Sequence, residues 1–238
     1  MPKYEEWLAV QTPDSFKARG QTKFFKEEDC QDFIDRIEEK YKDNQYWKEM
    51  LQALIVCLFR TGARISEVIY LPSKATNKAL YKYGLFPQNF DLNTRDFVII
   101  QLQTAKKKSK ENVGKIRNVW LNVPDPLLDY LLRWKDKHKE GEALFPMNRI
   151  TAWKRLTEIA TELGYEDGKF WLHYLRASSL SLDIARGATA HEIKSKAGWG
   201  SIRFADKYIV EDFDLGKQIA LKHKQWIDKE KSDNNAGT

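Results

Sequence analysis

The chain has 238 residues, of which 42% are hydrophobic and 31% are charged, enough for a sizeable core in one large domain. Its net charge of +6 favours an anionic partner, most often nucleic acid, although charge alone fits a basic protein without such a partner equally well. Its two cysteines exclude a disulfide framework and a zinc set, and no apolar run is long enough to span a membrane. Because MPKYEEWLAV is not a signal peptide, we expect a cytoplasmic protein.

The N-terminal part of the chain predicts a polar arm followed by three helices. Residues 1–21 are polar and are expected to form an extension or arm. From Thr22 onwards apolar residues recur at helical spacing, and Gly62 is expected to end the second helix. The apolar positions of the three helices are Phe33, Ile34, Ile37 and Tyr41; Trp47, Met50, Leu51, Leu54, Ile55, Leu58 and Phe59; and Ile65, Val68 and Ile69.

A change of period after the third helix predicts a β-hairpin. The segments DFVIIQLQ (residues 96–103) and IRNVWLNV (residues 116–123) are typical of strands, and the second alternates through Val119, Leu121 and Val123. The segment that links them is too polar to pair tightly and contains a single acidic residue. Counted from Thr104 to Arg117, which is already in the second strand, the basic residues are Lys106, Lys107, Lys108, Lys110, Lys115 and Arg117. The sequence therefore predicts a hairpin with a basic tip.

The remainder of the chain returns to helical spacing. The helix that His173 opens is expected to run to about Ala185 and to stop at Gly187, and HEIKSKAG predicts another short helix. A last helix with Leu215 and Trp226 precedes a polar tail, residues 226–238. Two earlier helices pack through Leu127, Leu128, Leu131 and Leu132, and through Leu156, Ile159, Ala160 and Leu163. The predicted fold class is mainly α with a small antiparallel β-sheet (α+β).

The residues that could carry chemistry are cationic. The sequence has no GxxxxGK[ST], no GxGxxG at a strand–helix turn, no HExxH and no convincing acidic metal cluster. Two arginines, Arg64 and Arg176, could bind phosphate oxygens bidentately and neutralise a five-coordinate phosphorus. His173 titrates in the range needed to move a proton, and a tyrosine oxygen can serve as a nucleophile.

Two motifs and their spacings resemble those of the tyrosine recombinases, the phage-integrase family. TGARISEVIYL (residues 61–71) is similar to the first arginine box of that family, and HYLR (residues 173–176) to the second. Trp199 follows Arg176 by 23 residues, and Tyr208 follows Trp199 by 9, as in the family pattern. The basic hairpin lies between the two boxes, where the family has its catalytic lysine. The resemblance covers residues 22–225 and implies the recombinase catalytic-domain fold.

The resemblance implies a role for each of the matched residues. Arg64 and Arg176 would hold the scissile phosphate, and Tyr208 would attack phosphorus to give a 3′-phosphotyrosyl bond and a free 5′-hydroxyl. His173 would exchange a proton with the nucleophile, and Trp199 would donate its indole N–H to a phosphate oxygen and pack the site. Glu67 would support the site, and a lysine, Lys106 or next Lys107, would protonate the leaving oxygen. The DNA backbone would be contacted by Lys107, Lys108, Lys110, Lys115 and Arg117.

The resemblance also implies partners. Double-stranded DNA would be the substrate, no metal or nucleotide cofactor would be needed, and several protomers, as a dimer or tetramer, would assemble on the DNA. A topoisomerase IB-like relaxation of supercoils would use the same covalent step. The biological setting would be DNA recombination or integration, as in a mobile element.

Two departures from the family pattern leave alternatives open. The family's N-terminal clamp domain has no counterpart before Thr22, so we expect a compact recombinase, a catalytic fragment or a clamp supplied by a partner. Ala177 stands where histidine is frequent after the second arginine. The alternative function is a non-catalytic DNA-binding regulator or accessory protein on the same fold, and a metal-dependent nuclease is a third.

Overall fold

The computed structural model describes residues 25–70, 84–92, 95–104, 115–165, 170 and 172–205. Most of the helices are eight or more residues long. A small sheet lies between the third and the fourth helix in the chain. In chain order the elements are α1 (Glu27–Lys40), α2 (Gln45–Thr61), α3 (Ile65–Val68), a 3₁₀ turn (Pro87–Asn89), β1 (Phe90–Asp91), β2 (Phe97–Gln103), β3 (Ile116–Asn122), α4 (Leu128–Asp136), α5 (Arg149–Glu162), α6 (Leu172–Ala185), α7 (Ala190–Ala197) and a second 3₁₀ turn (Ile202–Phe204). The described residues confirm the predicted mainly-α class.

Helix α2 is the centre of the core. It packs against α1, α4 and α6 and is buried along most of its length, from Met50 to Phe59. Asn44 caps its start by accepting a hydrogen bond from the Trp47 N–H at 3.2 Å. Gly62 ends the helix in the left-handed conformation, with φ of 59°, as predicted. A Cβ at Gly62 would lie 3.3 Å from Ser179 Oγ, so the same glycine lets α6 approach closely.

The predicted hairpin forms the core of a three-stranded antiparallel sheet in the order β1–β2–β3. The register pairs Phe97 with Asn122 and Leu102 with Arg117, and the Thr104 N–H donates to the Lys115 carbonyl at 2.9 Å. One face is buried, and the other exposes large apolar side chains such as that of Trp120. Strand β1 is only two residues long and was not predicted, because two residues cannot show a periodic pattern.

Helix α6 brings a polar sequence into the core. Ser178, Ser179, Ser181 and Arg176 are all buried, and Ser178 Oγ accepts a hydrogen bond at 2.9 Å from the N–H of Phe25, where the described chain begins. The helix runs to Ala185 as predicted and begins one residue before His173. Its position beside α2 brings the second arginine motif next to the first.

Some predictions lie outside the described residues. They are the arm of residues 1–21, the hairpin tip, the last helix and the tail of residues 226–238.

Cys30 and Cys57 are both buried free thiols, as the sequence indicated for Cys57. Within the described ranges, no helix has the length and apolar character to cross a membrane.

Candidate active site

Arg64 occupies the turn between α2 and α3. Its backbone N–H donates to Glu67 Oε2 at 2.9 Å, and its guanidinium Nη1 donates to Glu67 Oε1 at 3.0 Å. The side chain of Arg64 is 21% exposed, whereas that of Glu67 is completely buried. The left-handed turn at Gly62 and the short helix α3 therefore present Arg64 at the surface while Glu67 holds it from beneath.

Glu67 is the centre of a buried charge cluster, which we define as Glu67, Arg64, Arg117 and Arg176. Its Oε2 accepts a second hydrogen bond, from Arg117 Nη2 at 2.7 Å. Burial acts to raise the pKa of Glu67, but the charge and hydrogen bond of Arg117, the backbone N–H of Arg64 and the charge of Arg176 outweigh it. The pKa of Glu67 is therefore lowered, and the carboxylate is ionised at neutral pH.

Arg176 is almost fully buried and joins three segments. Its Nη1 donates to the Gly62 carbonyl at 2.5 Å and its Nη2 to the Ala197 carbonyl at 2.8 Å. The guanidinium carbon lies 5.8 Å from the centroid of the Trp199 ring. These contacts fix the planar guanidinium between the end of α2, helix α6 and the end of α7.

His173 lies one turn before Arg176, with an exposed side chain. It lines a surface groove of about 310 Å³ together with Arg64, although the two residues are far apart in sequence. The other lining residues are Ile65, Ser66, Arg149, Trp153 and Leu172. A cationic arginine and an imidazole thus share one groove, and Arg64 connects that groove to the buried charge cluster.

Trp199 follows the left-handed cap of α7 at Gly198, where φ is 65°. Its backbone N–H donates to the Lys194 carbonyl at 3.0 Å, and its half-buried ring also contacts Phe204, with ring centroids 6.2 Å apart. The ring therefore packs between Arg176 and the second 3₁₀ turn.

The fold of this chain is similar to that of several solved structures. The XerH site-specific recombinase bound to its difH substrate has a TM-score of 0.56 at 19% identity, over 83% of this chain and 53% of XerH. XerA recombinase has a TM-score of 0.55 at 15% identity, over 84% of this chain and 64% of XerA. The Tn1549 transposon integrase (residues 82–397) in complex with circular intermediate DNA has a TM-score of 0.52 at 15% identity, over 82% of this chain and 63% of that integrase fragment.

This chain has the tyrosine recombinase catalytic-domain fold. No protein-family model matches the sequence, and no curated protein does so either. The chain spans less than two thirds of each of the three recombinases named above.

Within this recombinase fold, four of the residues predicted for catalysis surround one region. These residues come from three separate segments: Arg64 and His173 line the groove, Arg176 donates to the carbonyl of Gly62, and the Arg176 guanidinium lies near the Trp199 ring. Glu67 holds Arg64 as expected of a supporting residue. Tyr208 and the lysines of the hairpin tip, Lys106, Lys107, Lys108 and Lys110, lie outside the described residues.

Arg117 lies in a different place from the one expected. We predicted a DNA-backbone contact, but the residue is 8% exposed and its guanidinium points into the buried charge cluster. The reason is the alternation of β3, which places Arg117 on the same inner face as Val119 and Leu121. That alternation was visible in the sequence and could have identified Arg117 as an inward cation. Lys115, just before the strand, is exposed.

Two groove residues were missed by sequence reasoning. Arg149 and Trp153 lie in the first turns of α5 and line the groove beside His173. Trp153 is 45% exposed and Ile150 is 63% exposed. The available signal was the segment RITAW, in which Ile150 and Trp153 flank the first buried position, Ala152, and do not fall on the buried stripe of Ala152, Leu156 and Ile159.

A metal site would need several acidic, histidine or cysteine side chains close together. Within the part of the chain that the structure describes, no three such residues are close enough together to hold a metal ion. The charges that border the groove in this part of the chain are instead guanidinium groups.

Proposed function

We propose that this chain is the catalytic domain, residues 22–225, of a site-specific DNA recombinase or integrase that cuts and rejoins DNA through a 3′-phosphotyrosyl intermediate. The observation that supports this most is the buried charge cluster, in which Glu67 lies among three arginines beside a groove that also contains His173. An excess of fixed positive charge at a groove suits a phosphodiester whose negative charge grows during substitution at phosphorus.

The proposed reaction exchanges one ester bond for another. The Tyr208 oxygen attacks phosphorus, its proton passes to His173, and the bond from phosphorus to the 5′ oxygen breaks. Lys106, or else Lys107, donates the proton that the leaving 5′ oxygen takes up. Arg64 and Arg176 neutralise the phosphate oxygens, and Trp199 donates its indole N–H to one of them. A 5′-hydroxyl of another strand then gives its proton to the same lysine as its oxygen attacks phosphorus, the bond from phosphorus to the Tyr208 oxygen breaks, and His173 returns its proton to Tyr208.

This chemistry needs no nucleotide, because the phosphotyrosine ester conserves the energy of the DNA bond. The same covalent step would allow relaxation of supercoiled DNA. XerH and the Tn1549 integrase were solved with DNA substrates, which supports double-stranded DNA as the partner here. Assembly of two or four protomers on DNA, and a clamp domain from elsewhere in the assembly, are parts of the same proposal.

The test is covalent capture of DNA by Tyr208. The protein is incubated, with chelator present, with randomised duplexes that carry a nick, so that attack releases a short strand and the adduct accumulates. We expect a detergent-stable protein–DNA adduct with the wild type and none with Tyr208→Phe. Tyr46→Phe is the matched control, since Tyr46 is 47% exposed and does not line the groove.

The outcomes separate the candidate functions. An adduct that persists in Tyr208→Phe would overturn the role of Tyr208. Binding of DNA by the wild type without any adduct would favour the non-catalytic DNA-binding regulator. Cleavage that appears only when a divalent ion replaces the chelator would favour the nuclease.

A further inference from the structure

Arg117 joins three parts of the candidate site that are distant in sequence. From the inner face of β3 its Nη2 donates to Glu67 Oε2 at 2.7 Å, and its Nε donates to the Lys196 carbonyl at 2.8 Å. Its stem also lies against Gly198, where an added Cβ would be 2.9 Å from Arg117 Cδ. One side chain thus connects the hairpin, the first arginine motif and the turn that leads to Trp199.

The two carboxylate oxygens of Glu67 have separate partners. Oε1 accepts from the Arg64 guanidinium, whereas Oε2 accepts from Arg117 and from the backbone N–H of Arg64. A carboxylate is planar, so fixing Oε2 also fixes the direction in which Oε1 points. The position of the Arg64 guanidinium at the groove therefore depends on Arg117 through Glu67.

A direct DNA contact would need an accessible guanidinium. The side chain of Arg117 is only 6% exposed, and two of its nitrogens already donate to Glu67 and to Lys196. Arg64, by contrast, is 21% exposed and lines the groove. The burial of Arg117 and its partners fit an indirect role better than phosphate binding.

We propose that Arg117 is a positioning residue for the DNA cleavage proposed above: it orients Arg64 through Glu67 and at the same time fixes the turn before Trp199 against the hairpin. This inference rests on the proposed function. Lysine cannot reproduce it fully, because an ammonium lacks the rigid fork that reaches the Glu67 carboxylate and the Lys196 carbonyl together.

The inference predicts a particular dependence on pH. The charged groups that face Glu67 are Arg64 from its own segment, Arg117 from β3 and Arg176 from α6. Removing Arg117 deletes a positive neighbour, so the pKa of Glu67 rises and the carboxylate protonates at a higher pH. As the pH is lowered, the Arg117→Met variant should therefore lose its cleavage activity at a higher pH than the wild type does.

The experiment measures single-turnover adduct formation, with saturating nicked duplex, for the wild type, Arg117→Lys and Arg117→Met across the acid pH range. We expect Arg117→Met to be slower by about a hundredfold, with DNA affinity and its salt dependence like those of the wild type. Arg117→Lys should be intermediate in rate and in the position of its acid limb. Lys115→Met is the matched comparison. The pattern expected of a residue that contacts a phosphate is a loss of DNA affinity with a salt slope reduced by about one.

A second measurement keeps the test valid if Arg117→Met folds poorly. With carbon-13 in the glutamate carboxyl groups, the titration of Glu67 can be followed by NMR in the folded wild type and Arg117→Lys. Lysine keeps a positive charge but lacks the fork that bonds Oε2, so we expect the pKa of Glu67 to be higher in the variant than in the wild type, and an unchanged titration would overturn the coupling.

The remaining outcomes distinguish this inference from the function on which it rests. If Arg117→Met keeps the wild-type cleavage rate, or shows the phosphate-contact pattern, the positioning role is overturned while the proposed function stands. If the wild type itself forms no adduct, the proposed function fails, and the positioning role fails with it.

Discussion

Two groups of charged side chains in this protein have similar distances but different surroundings. The buried charge cluster around Glu67 shares Arg64 with the groove, and its ion pairs are 2.7 and 3.0 Å long. A second group, which we call the surface ion cluster, joins α1 to α5 through Arg36, Lys40, Glu158 and Glu162, with Lys40–Glu158 at 2.6 Å and Arg36–Glu162 at 2.7 Å. Distance alone would rank the two as equal.

Solvent makes the two groups different. Glu67 has no exposed surface, whereas 27% of the Glu162 side chain and 55% of the Glu158 side chain are exposed. Water and salt screen the surface pairs, so each contributes little to stability. A buried charge cannot be rehydrated when its partner is lost, so the buried charge cluster fixes geometry and is costly to break. The cluster that is costly to break is also the one that borders the proposed site.

The largest expected effect comes from neutralising the centre of the buried charge cluster. Glu67→Gln keeps the shape of the side chain but leaves Arg117 with an unpaired buried charge. We expect the free energy of unfolding to fall by about 3–5 kcal/mol, measured by urea denaturation at neutral pH. A loss no larger than that of a surface substitution would show that Arg117 is compensated in another way.

The next effect concerns the glycine that lets Arg117 approach α7. Gly198→Ala places a Cβ 2.9 Å from Arg117 Cδ at a φ of 65°, so it meets both backbone strain and a steric clash. Gly164→Ala is the matched control, because Gly164 also has positive φ, 82°, but nothing lies within 4 Å of the added Cβ.

We expect Gly164→Ala to cost about 1 kcal/mol of unfolding free energy, from the conformation alone. Gly198→Ala should cost about 1–3 kcal/mol more, because Arg117 must shift. Equal losses in thermal or urea unfolding would mean that Arg117 moves aside freely, which would weaken its assignment as a fixed support.

Much of the fold and several residues of the candidate site could be predicted from the sequence. Local patterns gave the helices, the end of α2 at Gly62 and the two long strands, because each depends on neighbours within a few residues. The motif spacings led to the prediction of Arg64, His173, Arg176 and Trp199 as site residues, and the structure places Arg64 and His173 along one groove and Arg176 near Trp199.

The supports of the site could not be predicted in the same way. Arg117 and Glu67 are 50 residues apart, and Arg176 donates to a carbonyl 114 residues away at Gly62. No local pattern encodes such pairs, since they arise only when β3 and α6 pack around the end of α2. The alternation of β3 did indicate that Arg117 points inward. We nevertheless predicted a DNA contact for it, because it was grouped with the basic residues of the hairpin.

The smallest expected effect is in the surface ion cluster. Hydrogen bonding to Lys40 lowers the pKa of Glu162, partial burial opposes this, and Arg36 adds to the lowering. A carboxylate with a lowered pKa stabilises the folded state above its unfolded pKa, and that contribution is lost as pH falls through the folded value. Glu162→Gln should therefore reduce the unfolding free energy by at most about 1 kcal/mol at neutral pH, and by less in acid.

Salt distinguishes this small loss from the large one at Glu67. At about 1 M salt the Debye length is roughly 3 Å, so the difference between wild type and Glu162→Gln should nearly vanish. The loss caused by Glu67→Gln should persist at the same salt concentration, because ions do not enter the buried charge cluster. If both losses respond to salt alike in parallel urea titrations, then the cluster around Glu67 is hydrated, and Arg117 cannot hold Arg64 as rigidly as its contacts indicate.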